Sequence, residues 1–131
     1  MPIKYSWEDA SQEILLFDLT IGDWTWEQYD RIVDEVFAIV QAIPHTVSVI
    51  ILPPPHNPHG SPLPHLQRVL ALHPKNIDVF VLVNANYFTR SINQLMIKLY
   101  PQLSKRLIFV RDIDEAHKQV KLRHTATSRV S

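Results

Sequence analysis

Short runs of almost unbroken apolar residues alternate along this chain with stretches in which apolar positions recur every three or four residues. The first pattern predicts strands covered on both faces, the second amphipathic helices. Residues 3–6 read as a short edge strand, and residues 14–19 (Ile-Leu-Leu-Phe-Asp-Leu) as a stronger one ended by Gly22-Asp23. Thr25 opens a helix, and Gln28 three positions on completes a capping-box pattern. Trp26, Tyr29, Ile32, Val33, Val36, Phe37, Val40 and Ile43 form its apolar stripe. Asp30, Arg31, Asp34, Glu35 and Gln41 fall on the other side, and Pro44 stops the helix.

Residues 47–52 are β-branched and nearly all apolar, as a buried strand requires. Pro53, Pro54 and Pro55 cannot donate to a sheet ladder, so the strand ends there and a stiff loop runs through His56, Asn57, Pro58, His59 and Gly60. Ser61 before Pro62 predicts a helix N-cap with proline at the first helical position, and Leu63, Leu66, Val69, Leu70 and His73 continue that helix to Pro74. A further buried strand covers 79–83. A helix follows over about 89–100 with Ile92, Leu95, Met96 and Leu99 inward, then a last strand over 107–110. Asp112 and Glu115 repeat the capping-box pattern before a short helix carrying Ile113, Ala116 and Val120. Residues 124–131 have no periodicity and are expected as a flexible C-terminal tail behind a single domain over 1–123.

Strands alternating with helices predict an α/β fold, a single domain with a mixed, largely parallel sheet flanked by helices. Ligands or partners of such folds meet the loops at the carboxyl ends of the strands. Here those loops are 20–23, 53–60, 84–88 and 111–112.

Composition narrows the function classes. The 131 residues make one domain, and apolar content of 46% with 20% charged residues excludes a wholly disordered chain. Lys plus Arg balances Asp plus Glu at 13 each, which argues against a broadly electrostatic nucleic-acid binder. The absence of cysteine excludes disulfides, thiolate nucleophiles and cysteine-based metal centres. No run approaches the ~18 apolar residues of a membrane span, and residues 1–7 lack a signal-peptide core. The expectation is a cytoplasmic protein with no membrane and no nucleic-acid partner.

Few residues group into chemistry. The only glycines are Gly22 and Gly60, so no glycine-rich phosphate cradle can be written, and no cofactor is expected. His56 and His59, with His65, His45 or His73 near, raise the question of zinc or nickel. They lie in a loop with no acid between Pro44 and Asn76, so they are read as solvated histidines and no metal is assigned. Ser61 is not in a nucleophile elbow, and no nucleophile, base and orienter assemble; no catalytic residue and no enzyme activity are assigned. Trp24 is either a staple-like contact at the helix entry or an aromatic anchor for a partner; Tyr87 and Phe88, beside Arg90, pose the same alternative.

Strand 14–19, the stretch Gly22-Asp23-Trp24-Thr25-Trp26-Glu27 opening a long helix, and strand 47–52 with a loop to Ser61 together resemble a STAS-type domain. Such domains occur in anti-sigma-factor antagonists, and the likeness is to their divergent relatives. Strand 79–83, Asn86-Tyr87-Phe88 leading into a helix, and Phe109-Val110 followed by Asp112-Ile113-Asp114-Glu115-Ala116 fit the same layout. The resemblance covers roughly residues 14–122. It implies a non-catalytic regulatory module that binds another protein, such as a kinase or a sigma-factor regulator, in bacterial-type signalling; a homodimer is compatible with it. It also implies a phospho-acceptor serine at the start of the helix after the middle strand, the place Ser61 occupies. Gly60 before it and Pro62-Leu63 after it depart from the family pattern, as does Leu52 where an acid usually ends the strand. The partner surface then comprises Trp24, His56, His59, Leu63, Leu66, Tyr87 and Phe88. The alternative is a small-molecule or lipid-binding domain of the same architecture, with a pocket between helix and sheet at Trp24, Phe17, Tyr87 and Phe88.

Overall fold

The computed structural model describes residues 3–21, 23–55, 60–83, 87–101 and 103–130, with side chains further left out at 87–89, 91–93, 103–104 and 124–130. Five strands form one sheet in the order of the chain, β1 (Lys4–Trp7), β2 (Ile14–Asp18), β3 (Val47–Leu52), β4 (Ile77–Val83) and β5 (Leu107–Val110). Strand β1 pairs antiparallel with β2, and every later pair is parallel. Helices α1 (Trp26–Gln41), α2 (Leu63–Leu72) and α3 (Tyr87–Leu99) connect the parallel strands, and α4 (Ile113–Val130) follows β5. The expected α/β architecture is therefore present. Among the described residues, no helix is long and apolar enough to cross a membrane.

Strands β2, β3 and β4 bury both faces, as their apolar runs require, while edge strand β1 exposes Lys4 and Ser6. Leu15, Phe17, Val49 and Phe80 point to the side that α1 and α2 cover, where Val33, Val36 and Val40 meet them. Ile14, Ile50, Val79, Val81 and Val110 point the other way and pack on Ala116 and Val120 of α4. Sequential strand order explains the asymmetry: crossovers of one hand that always step in one direction lay their helices on one face. Only α4, which follows the last strand, turns back over the second face.

Side-chain ties fix the helix ends. Thr25 and Gln28 form the capping box, with Thr25 Oγ1 accepting from the Gln28 N–H and Gln28 Oε1 accepting from the Thr25 N–H. Asn76, before β4, donates its amide to the carbonyls of Val40, Ile43 and His45, closing the C-terminal end of α1. The β3–β4 register skips Asp78, and Arg123 of α4 reaches this bulged residue with two hydrogen bonds of 3.0 Å.

Several boundaries differ from the sequence reading. Helix α3 starts at Tyr87, before Thr89, and Leu99 in its last turn is exposed where the periodicity places it inward. The backbone of α4 stays helical to Val130, past the loss of apolar period at Arg123, because helical hydrogen bonding needs no apolar stripe. Helix α2 begins at Leu63, and Pro62, in helical conformation, accepts its first backbone bond from Leu66. Pro62 has no N–H of its own, so the hydroxyl of Ser61 takes the next one, that of Leu63, at 3.3 Å.

Candidate functional site

At the carboxyl ends of β2 and β3, the start of α1 meets the start of α2 through stacked rings. Asp23 adopts a left-handed backbone, φ 84°, at the entry to α1. Trp24 after it is buried, donates Nε1–H to the Leu19 carbonyl at 3.2 Å, and stacks on Tyr29 with centroids 5.6 Å apart. Trp24 precedes the Thr25 cap and Tyr29 is the fourth helical residue, so the pair is a hydrophobic staple. Trp24 is thus buried at the helix entry, in contact with Trp26 and Tyr29.

Trp26 stands edge-on to Tyr29 and carries the imidazole of His65 flat against it, 4.6 Å between centroids and 7° between planes. Its Nε1–H is buried without a hydrogen-bond partner among the described residues. Gly60, at φ 97°, sits against that edge of the indole: a Cβ there would lie 3.5 Å from Trp26 Cδ1. Glycine's tolerance of the left-handed region lets the loop turn into α2 directly over the ring.

His65 donates Nδ1–H to the Asp30 carboxylate, 2.9 Å from each oxygen. One turn further, Arg68 donates to both oxygens of Asp34 at 2.6 and 2.7 Å. Acids four apart on α1 thus face bases three apart on α2, spacings that each keep side chains on one helical face. The sequence reading left Asp30, Asp34 and Arg68 out of the site. Their only signal was that matching of spacing and sign, which has meaning once the two helices are known to be neighbours.

Helix α2 has no buried residue; Leu63, Leu66, Val69 and Leu70 are half-buried. Beneath it lies a cavity of about 90 Å³ between the sheet and helices α1, α2 and α3. Its walls include Phe17, Val36, Val49, Leu66, Val69, Phe80, Leu82 and Met96, and among the described residues Tyr29 is the one lining residue with a polar side-chain atom. Burial, with the nearby Asp30 charge, raises the Tyr29 hydroxyl well above its ordinary range, while Arg68 pulls weakly the other way. Phe17 lines this cavity, and Trp24 does not.

Ser61 is exposed beside these residues. The loop residues His56 and His59 lie outside the described residues, and so do the side chains of Tyr87 and Phe88. His45 and His73 lie at the opposite end of the strands, each turned to a backbone carbonyl, Gln12 and Leu70 respectively. Among the described residues no three His, Asp or Glu side chains gather as a metal site.

No family model matches the chain, and no curated protein matches it.

Proposed function

We propose that the protein is a non-catalytic regulatory module of STAS-like type that engages another protein through helix α2 and the loop leading into it. The observation that carries this reading is how α2 is held. It buries no residue completely and is tied to α1 by the partly exposed pairs His65–Asp30 and Arg68–Asp34, so it is more weakly anchored than α1, which buries four residues. The mixed sheet flanked by helices is in keeping with the resemblance, and α2 stands at the strand ends where such folds meet their partners. The exposed Ser61 hydroxyl adds a place for regulation, since a phosphate there would meet the N-terminus of α2.

Site-specific photocrosslinking in the native cell tests this reading. A crosslinker at Leu63 or Gln67 on α2 is expected to trap a protein adduct, while one at Lys118 on α4 is not. Absence of an adduct at both α2 positions, or equal adducts at all three, would overturn the assignment to α2.

A further inference from the structure

The cavity beneath α2 is walled almost wholly by hydrocarbon, and among the described residues Tyr29 is its one lining residue with a side-chain oxygen. Burial keeps the Tyr29 O–H protonated at any physiological pH, with the Asp30 and Arg68 charges acting on it in opposite directions. A neutral donor beside apolar walls is the arrangement by which small-molecule sites orient a ligand: apolar walls supply affinity, and a polar group selects. The wall formed by Leu66, Val69 and Leu70 belongs to the helix that buries no residue, so this side can yield to admit a molecule. At about 90 Å³ the space is smaller than the ~150 Å³ apolar cavity that takes up benzene. It suits one small ring or short branched chain, not a whole lipid tail.

We infer that the space enclosed by α1, α2, α3 and the sheet is a binding site for a small neutral apolar molecule bearing one hydrogen-bond-accepting oxygen, which the Tyr29 hydroxyl engages. The site lies on the inner side of α2; both assignments draw on α2 burying no residue, but uptake of the probes below needs no protein partner and so tests this one by itself.

The probes are cyclohexanone and methylenecyclohexane, which share a shape and differ in the acceptor oxygen. Each is titrated into the full chain while the methyl resonances of Val36, Val69, Leu82 and Met96 are followed by NMR. Saturable shifts of these methyls are expected with both probes, with the ketone favoured about 2- to 12-fold, the worth of one net hydrogen bond. Tyr29→Phe should abolish that preference and still bind both probes. Val69→Phe, checked for folding by its melting curve, should fill the space and remove the shifts; Leu70→Phe serves if that variant does not fold. The inference is overturned by absent or non-saturating shifts in the wild type, or by a ketone preference that survives Tyr29→Phe. Shifts unchanged in a folded cavity-filling variant would also overturn it, as would a long-chain lipid found by native mass spectrometry in the purified protein.

Discussion

The imidazole of His65 lies flat on the indole of Trp26 while its Nδ1–H reaches both carboxylate oxygens of Asp30 at 2.9 Å. Stacking fixes the ring's plane and the carboxylate fixes its rotation, so a single side chain aligns the first turn of α2 on α1. Removing either partner should loosen α2 before anything else. In His65→Ala or Asp30→Ala, the α2 amides are expected to exchange faster with deuterium while those of β3 and β4 keep their protection. The cost in global stability should be about 1 kcal/mol, since the pair is partly screened by solvent. An equal rise in exchange across the central strands would show that the pair supports the core instead.

Ser61 holds the Leu63 N–H by a long bond of 3.3 Å, so its contribution to helix stability is expected at the lower end of capping values. Ser61→Ala should cost about 0.5–1 kcal/mol in urea unfolding, and Ser61→Asp close to nothing, because aspartate caps and suits the helix dipole. A stable Ser61→Asp variant whose α2 crosslinks change would mark the residue as a regulatory switch. An unchanged crosslinking pattern would leave it a cap alone.

Tyr29 predicts how the protein responds to alkali. Its hydroxyl is raised in the folded state, mainly by burial, above the value of 10.0 that it keeps when unfolded. Below that value both states are protonated and the contribution to stability is fully present. As pH rises above it, the unfolded chain loses the proton while the folded chain holds it, and stability falls. Melting temperatures between pH 9 and 11 should therefore fall more steeply for the wild type than for Tyr29→Phe. Parallel curves would mean that Tyr29 ionises freely in the fold.

Asn76 gives its amide to three carbonyls at the end of α1, at 2.8, 3.2 and 3.1 Å. Asn76→Ala should lower stability by about 1 kcal/mol, because it removes bonds to three carbonyls of which the Val40 one keeps the Ile43 N–H and the His45 one is exposed. Asn76→Asp should be worse at neutral pH, where a carboxylate would face those same carbonyls, and should recover partly in acid as it is protonated. Urea denaturation at two pH values checks both. Equal stability of the two variants at neutral pH would deny the geometry.

Much of the fold was legible because its signals are local. The runs at Val47–Leu52 and Leu107–Val110 are strands as their apolar patterns predict, and Thr25 with Gln28 caps α1, since a capping box involves residues three apart. The mixed, largely parallel sheet also follows in outline, because strands alternating with helices call for parallel crossovers, whereas the sequential strand order does not. The candidate site was much less visible. Asp30 and Asp34 fall on the polar side of α1 and read there as solvated acids, and their partners His65 and Arg68 lie 35 and 34 residues away. Periodicity states which side of a helix is polar but not what stands opposite it. That was decided when the strand order set α2 beside α1, bringing two polar faces together above an apolar cavity that neither helix forms alone.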